Sequence, residues 1–167
     1  MFPGCRVLDI GCGDGFYAYH FYSSVAGRID AVDVEPAAIA YARKYHSIDN
    51  VTYHVLDTVR DPLPGDTYQV VCLDGVLGHL NLEDIGVLLE KIAKVLGQCG
   101  VLTGYEVLET RDKMSWDHQI ALESVADVRK LLGRCFRYVA TFETISPGRH
   151  NVYFRCSADE ARLGRFS

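Results

Sequence analysis

The stretch VLDIGCGDGFY, from Val7 to Tyr17, is the most informative part of the sequence. An apolar run that contains Asp9 leads into three glycines at alternate positions: Gly11, Gly13 and Gly15. An apolar run that stops at glycine is typical of a buried strand followed by a tight turn. A tight turn would explain one or two of these glycines. Three of them behind an acidic strand residue favour a ligand that the backbone approaches closely.

Strand and helix patterns alternate along the chain from this point. Strands are predicted over 6–10, 28–32, 51–56, 68–73, 100–107, 136–145 and 150–156. Helices are predicted over 16–25, 36–45, 82–96 and around 125–132. Such alternation predicts an α/β fold, doubly wound, in which helices cover both faces of a mostly parallel seven-stranded sheet. The turn SPGR joins the last two strands too tightly for a parallel crossover, so one strand at that end of the sheet must be antiparallel.

Composition limits the kind of protein. A chain of 167 residues, nearly half of them apolar, suits a single domain with its own core. A net charge of −5 disfavours a nucleic-acid partner. The six cysteines form no C-x-x-C pair and no zinc spacing, so we expect a reduced, cytoplasmic protein without a metal site. Neither a signal peptide nor an apolar run of membrane-spanning length is evident, so no membrane partner is expected.

The glycine spacing also narrows the ligand. Dinucleotide-binding folds prefer G-x-G-x-x-G, whereas this chain has G-x-G-x-G with Phe16 at the next position. No basic residue stands near the turn to hold a pyrophosphate. Both features favour a ligand without phosphates.

The stretch VLDIGCGDG resembles the first motif of the class I S-adenosylmethionine-dependent methyltransferases. Three later stretches are similar to that family in the same order: IDAVDVEPAAIAYARK, NVTYHVLDTVRDPLPGDTYQVVCLDGVLGHL and LLEKIAKVLGQCGVLTGYE. Gln98 and Cys99 replace the proline and glycine that usually follow the helix of the last stretch. The resemblance covers about residues 6–156. It implies a Rossmann-like sheet whose seventh strand is antiparallel, with S-adenosylmethionine as cofactor and S-adenosylhomocysteine as product.

The resemblance also implies a cofactor site. The three glycines would pass under the methionine part of the cofactor, and Asp9 would help to orient that part. Asp33, with Val34 beside it, would accept hydrogen bonds from both ribose hydroxyls. Asp57 and Thr58 would lie against the adenine. Leu73 would offer its backbone carbonyl to the amino group of the cofactor.

Catalytic and acceptor-binding residues follow less directly. The stretch CLDGVLGHL has no Pro-Pro, unlike DNA amino-group methyltransferases, and is similar to the corresponding loop of small-molecule methyltransferases. That similarity makes His79 a candidate general base, since histidine suits proton removal near neutral pH. A structural role in the connection to the next helix remains the alternative for His79. Tyr17, Glu106 and His118 are candidate acceptor-binding residues.

The sequence therefore predicts a methyltransferase that acts on an oxygen or nitrogen of a small molecule. A non-catalytic S-adenosylmethionine-binding module and an RNA or protein methyltransferase are the alternatives. We expect one domain over residues 1–167 without the N-terminal helices that usually cover the acceptor pocket. Such a pocket would be open to solvent or closed by a second subunit, as in a homodimer.

Overall fold

The computed structural model describes residues 1–164 as one seven-stranded sheet with helices on both faces. The strands are β1 (Arg6–Ile10), β2 (Arg28–Asp33), β3 (Val51–Val55), β4 (Val70–Asp74), β5 (Val101–Val107), β6 (Tyr138–Ser146) and β7 (Arg149–Ser157). The helices are α1 (Pro36–Tyr45), α2 (Leu82–Leu96) and α3 (Val125–Leu132). Short single turns of 3-10 helix cover Leu77–His79 and Glu160–Arg162.

The strand order is β3-β2-β1-β4-β5-β7-β6, which confirms the doubly wound prediction. The first five strands pair in parallel, while β7 runs antiparallel between β5 and β6. The strand order reverses between β1 and β4, so the ends of these two strands form a crevice between them. Ligands of doubly wound folds bind at such a switch point.

Two apolar cores lie against the sheet. One contains the buried faces of α2 and α3 together with Leu8 and Ile10 of β1. The other contains Val7 of β1 and the buried residues Ile39 and Ala42 of α1. Because successive strand side chains point to opposite faces, β1 contributes to both cores and is buried along nearly its whole length.

Helix α2 begins where the sequence predicts, because Asn81 caps it. The Asn81 Oδ1 atom accepts hydrogen bonds from the backbone N–H groups of Glu83 and Asp84 at 3.0 and 2.9 Å. The cap satisfies two donors that the first helical turn would otherwise leave free. This cap fixes the connection between β4 and α2, which forms one wall of the site.

The helix predicted over 16–25 is shorter than expected. Helical backbone covers residues 16–22, and within it a π-helical segment spans Ala18–Tyr22. Beyond it, the hydroxyl groups of Ser23 and Ser24 donate to the carbonyls of Tyr19 and Phe21 at 2.6 and 3.0 Å. Hydroxyls that bond locally to backbone carbonyls compete with helical hydrogen bonds, which explains the early end.

Candidate functional site

The glycine turn after β1 folds across the end of β2. The backbone N–H groups of Gly11 and Cys12 both donate to the carbonyl of Val32, at 2.9 and 3.0 Å. Gly11 has a φ of 71° and Gly15 a φ of 79°, so both lie in the left-handed region that favours glycine. The turn therefore brings bare backbone to the switch point of the sheet, as its sequence predicts.

Asp33 lies at the end of β2 and contacts this turn. Its Oδ2 atom accepts a hydrogen bond from the N–H of Gly13 at 2.8 Å, and its Oδ1 atom accepts one from the N–H of Glu35 at 2.8 Å. A carboxylate oxygen can accept more than one hydrogen bond. Each Asp33 oxygen thus keeps acceptor capacity for a further donor.

A cavity of about 420 Å³ opens beside Asp33. Its lining includes most of the residues predicted for the adenosyl part of the cofactor, together with the ends of β1 and β4. The residues of interest on its wall are Gly11, Asp33, Val34, Asp57, Thr58, Asp74, His79 and Gln119. The fold thus brings together residues that are far apart in the chain, as the resemblance implies.

Asp57 is engaged in shaping the loop after β3. Its Oδ1 atom accepts from the N–H groups of Val59 and Arg60, and its Oδ2 atom accepts from the Arg60 guanidinium at 2.7 Å. Burial would raise the pKa of Asp57, but these hydrogen bonds from Arg60 and Val59 outweigh it and hold the pKa below its usual value. The adenine contact expected of Asp57 stays a prediction. The carboxylate that would make this contact already accepts hydrogen bonds from its own loop.

Lys91 of α2 holds the same loop from the other side. Its Nζ atom donates to the carbonyls of residues Thr58, Val59 and Asp61 at 3.1, 2.6 and 2.9 Å. This role is not evident from the sequence, in which Lys91 resembles any lysine on a helix surface. Only the packing of α2 beside the loop reveals the contact.

Asp9 faces a second, smaller pocket of about 210 Å³ that the glycine turn, Tyr17, Asp74 and Tyr105 also line. Within residues 1–164, its Oδ2 atom is buried and has no hydrogen-bond partner. Burial raises the pKa of Asp9 to about 8, and repulsion from Asp74 and Asp33 adds to the shift. An unpartnered buried carboxylate oxygen beside bare backbone fits the cationic methionine end of S-adenosylmethionine.

Asp74 is a candidate site residue that the sequence patterns did not predict. It follows Leu73 in β4, is half-buried, and accepts a hydrogen bond from the Tyr22 hydroxyl at 2.9 Å. Burial raises the pKa of Asp74 and outweighs the opposing hydrogen bond from Tyr22. An acidic residue directly before Gly75 at the end of a parallel strand was the signal that could have identified it.

Leu73 does not occupy the position expected of it. Strand β4 continues through Asp74, so Leu73 lies inside the sheet and is fully buried. Its carbonyl oxygen abuts the backbone of Gly104 in β5 so closely that a Cβ atom there would collide with it. The strand-end position that faces the crevice therefore belongs to Asp74 and not to Leu73.

Glu106 also differs from its expected acceptor-binding role. It is 2% exposed, and its Oε1 atom accepts a hydrogen bond from the N–H of Leu77 at 2.7 Å. Burial raises the pKa of Glu106 to about 7, although backbone hydrogen bonds from the turn at Leu77 and its neighbours oppose the shift. Glu106 thus supports the Leu77–His79 turn from below.

His79 and His118 lie together although they are far apart in the chain. Their rings meet edge to face, with the ring centroids 4.6 Å apart. The Nδ1 atom of His118 is 2.9 Å from Oε2 of Glu109, and the Nδ1 atom of His79 is 3.5 Å from Oδ2 of Asp117. Tyr17, the other candidate acceptor-binding residue, is about half exposed and lies over the pocket of Asp9.

None of the helices in residues 1–164 has the length and apolar character needed to span a bilayer. All six cysteines are free thiols.

Comparison with known proteins identifies the family. A family model described as a methyltransferase domain matches residues 7–100. The mitochondrial ubiquinone biosynthesis O-methyltransferase of Schizosaccharomyces pombe is 34% identical over 84 residues, which cover 48% of this chain and 30% of that protein. The ribosomal protein L11 methyltransferase of Acetivibrio thermocellus is 28% identical over 129 residues, which cover 68% of this chain and 41% of that protein. The chain thus spans less than half the length of these curated relatives.

Solved structures show the same fold. The N-methyltransferase NodS from Bradyrhizobium japonicum, in complex with S-adenosylhomocysteine, matches with a TM-score of 0.72 at 16% identity, covering 92% of this chain and 78% of that chain. The structure titled DhpI-SAH complex matches with a TM-score of 0.72 at 21% identity and the same coverage of 92% and 78%. The family match, the sheet order and the glycine-and-aspartate crevice agree: the chain belongs to the class I S-adenosylmethionine-dependent methyltransferase family.

Proposed function

We propose that this chain transfers a methyl group from S-adenosylmethionine to an oxygen or nitrogen of a small-molecule acceptor. The position of Asp74 carries this proposal. Asp74 is a lining residue of the 420 Å³ cavity, of the 210 Å³ pocket of Asp9, and of a third pocket of about 740 Å³. A cofactor in the first two spaces and an acceptor in the third would therefore meet at this residue.

The third pocket has the character of a small-molecule site. Its volume falls in the range of about 300–1,000 Å³ that is usual for such sites. Four tyrosines contribute to its lining: Tyr17, Tyr22, Tyr105 and Tyr153. Arg149 also lines it, with its guanidinium 5.8 Å from the centre of the Tyr105 ring. Aromatic walls with one cation favour a planar acceptor that carries an acidic group.

The bound cofactor supplies an activated methyl group, and the chain has to position the acceptor and exclude water. The acceptor lone pair would form the new bond to carbon while the carbon–sulfur bond of the cofactor breaks and leaves its electron pair on sulfur. The acceptor would lose its proton to Asp74. A raised pKa makes Asp74 a stronger base than an ordinary aspartate. The base role expected of His79 stays a prediction.

The alternatives have their own support. Relatives named as ribosomal protein L11 methyltransferases favour a protein acceptor, and a cofactor crevice alone would suffice for a binding module. The net charge of −5 argues against RNA. The single-domain organisation and the homodimer both stay predictions, and light scattering of the 167-residue chain tests the dimer.

The experiment uses S-adenosylmethionine with a tritiated methyl group, and asks whether label enters a metabolite, a protein or an RNA fraction. We expect label in the metabolite fraction, and a loss of about 10²–10⁴ in rate for Asp74→Asn. Asp66→Asn, at an exposed position outside the cavity lining, is the matched control. Label in the protein fraction would support the L11-type alternative. No turnover alongside tight cofactor binding would support the binding module.

A further inference from the structure

The cluster of His79, Asp117 and His118 lies beside the cofactor cavity and is not used by the proposed reaction. One potential ligand atom from each side chain lies within 4.8 Å of the others. His79 belongs to the turn after β4, whereas Asp117 and His118 belong to the loop between β5 and α3. Spacing along the chain predicts no metal site, because this cluster forms only when the two segments meet.

The separation between His79 and Asp117 is unusual for a hydrogen bond. The Nδ1 atom of His79 lies 3.5 Å from Oδ2 of Asp117 and 3.4 Å from the Asp117 carbonyl oxygen. A good charge-assisted hydrogen bond would be about 2.7–2.9 Å long. Two ligands that each lie about 2.0–2.2 Å from one tetrahedral ion are about 3.3–3.6 Å apart. The gap thus matches a shared ion better than a direct contact.

Hydrogen bonds hold each of the three side chains or its backbone in place. Glu109 contacts Nδ1 of His118 at 2.9 Å, which leaves the other ring nitrogen of His118 as the ligand atom. The Ser115 hydroxyl donates to Oδ1 of Asp117 at 2.7 Å and leaves Oδ2 for the ion. A carboxylate behind a ligating histidine and a hydrogen bond behind a ligating carboxylate are the usual supports of metal ligands.

Hydrogen bonds also join the two segments to each other. The backbone N–H of Gln119 donates to the Gly78 carbonyl at 2.7 Å, and its side chain donates to the His79 carbonyl at 2.7 Å. A Cβ atom on Gly78 would lie 2.8 Å from Nδ1 of His118. The lack of a side chain at Gly78 therefore leaves space for the His118 ring. These contacts keep the two histidines adjacent before any ion binds.

We propose that His79, Asp117 and His118 form a binding site for a divalent transition-metal ion of the zinc type. Two imidazoles and one carboxylate suit zinc, whereas magnesium and calcium prefer oxygen ligands throughout. The side chains of His79 and Asp117 are 44% and 39% exposed, which leaves room for a water molecule or an acceptor oxygen as the fourth ligand. Closing the cluster around an ion needs side-chain shifts of about 1 Å from the present separations.

An imidazole nitrogen that binds a metal ion cannot also take a proton, so the metal site and the general-base role predicted for His79 are alternatives. The ion would tie the 108–119 loop to the turn after β4, and both His79 and Gln119 line the cofactor cavity. The site does not depend on methyl transfer, and its test does not measure activity.

The test is cobalt and zinc binding to the chelator-treated 167-residue chain. Cobalt absorption in the visible range reports the ligands, and fluorescence of Trp116, the single tryptophan, reports the neighbouring loop. We expect one ion per chain without the ultraviolet charge-transfer band of a thiolate ligand. His79→Ala and His118→Ala should each weaken binding at least tenfold, and Glu109→Gln should weaken it about tenfold to a hundredfold through the support of His118.

His150→Ala is the matched control, because His150 is a histidine of the β6–β7 hairpin that contacts Glu143. It should bind the ion as the unmodified chain does. Circular dichroism of each variant checks folding, and Asp117→Asn, a change at an exposed loop position, provides a milder test of the same site. Absence of binding, binding with a thiolate band, or binding that His79→Ala and His118→Ala leave unchanged would overturn the proposal.

Discussion

The backbone N–H of Gly13 donates a hydrogen bond to Oδ2 of Asp33 over 2.8 Å. This contact joins the glycine turn after β1 to the end of β2, so the two predicted halves of the cofactor site are physically connected. Asp33 receives a second backbone hydrogen bond from Glu35, which fixes the orientation of its carboxylate. A carboxylate oriented in advance binds a ribose diol with less loss of side-chain entropy.

Replacement of Asp33 by alanine should weaken cofactor binding. Hydrogen bonds to a charged group are worth about 1.5–3 kcal/mol, so the affinity for S-adenosylhomocysteine should fall about tenfold to a hundredfold. Isothermal titration calorimetry measures the change. Asp66→Ala, at an exposed position outside the cavity, is the control and should bind normally. Unchanged affinity in Asp33→Ala would refute the ribose role.

Cofactor binding should release a proton near neutral pH because of Asp9. Its pKa is raised to about 8 by burial and by the neighbouring Asp74 and Asp33, so the free protein holds Asp9 largely protonated at pH 7. The cationic end of the cofactor favours the ionised form and lowers this pKa. Affinity should therefore rise with pH up to about 8 and then level off.

Calorimetry in two buffers of different ionisation enthalpy measures that proton release. Asp9→Asn should bind without the part of the pH dependence that Asp9 causes. The same proton count for Asp9→Asn and for the unmodified chain would contradict the assignment.

The stability of the fold should decrease as pH rises because of Glu106. Burial raises its folded-state pKa to about 7 from the usual 4.5. A carboxyl with a raised pKa binds its proton more tightly in the folded state, so its stabilising effect is fully present below pH 4.5 and is lost as pH rises through 7. The loss is on the order of 3 kcal/mol in unfolding free energy.

Urea denaturation at pH values on either side of this window measures the effect. Glu106→Gln keeps an acceptor for the Leu77 N–H and should remove the contribution of Glu106 to the pH dependence. If the unfolding free energy changes with pH in the same way in both proteins, Glu106 does not cause the pH dependence.

Two glycine substitutions should have opposite effects on stability. A Cβ atom at Gly104 would collide with the carbonyl of Leu73, between two central strands, so Gly104→Ala should destabilise the fold by more than about 2 kcal/mol. Gly86 lies inside α2 with nothing within 4 Å of a new Cβ atom. Gly86→Ala should stabilise by about 0.5–1 kcal/mol through helix propensity. Thermal melts of the pair measure both changes, and equal shifts would contradict the packing between β4 and β5.

Local patterns in the sequence predicted most of the fold. Strand β1 and helices α1, α2 and α3 have the predicted bounds, because β1 is an apolar run that stops at Gly11 and each helix has a clear start or stop signal. The antiparallel hairpin was evident because a four-residue turn permits no parallel crossover. The segment after Gly15 was less accurately predicted, since Ser23 and Ser24 end it through side-chain bonds that its apolar pattern does not indicate.

Site residues were predictable from the sequence only where they belong to a local motif that implies a single role. Asp33 and the glycine turn belong to such motifs, whereas Asp74 lies one residue beyond the predicted end of its strand. Lys91 and Glu106 act on segments about thirty residues away in the chain, through contacts that only tertiary packing creates. The meeting of His79 with His118 depends in the same way on where the 108–119 loop lies.

The central claim is that the crevice between the ends of β1, β2 and β4 holds S-adenosylmethionine. A crystal structure of the 167-residue chain with S-adenosylhomocysteine tests it most directly. We expect the adenosyl group in the 420 Å³ cavity with both ribose hydroxyls bonded to Asp33, and the amino-acid end beside Asp9 and Asp74. A product bound elsewhere, or with its ribose away from Asp33, would contradict it.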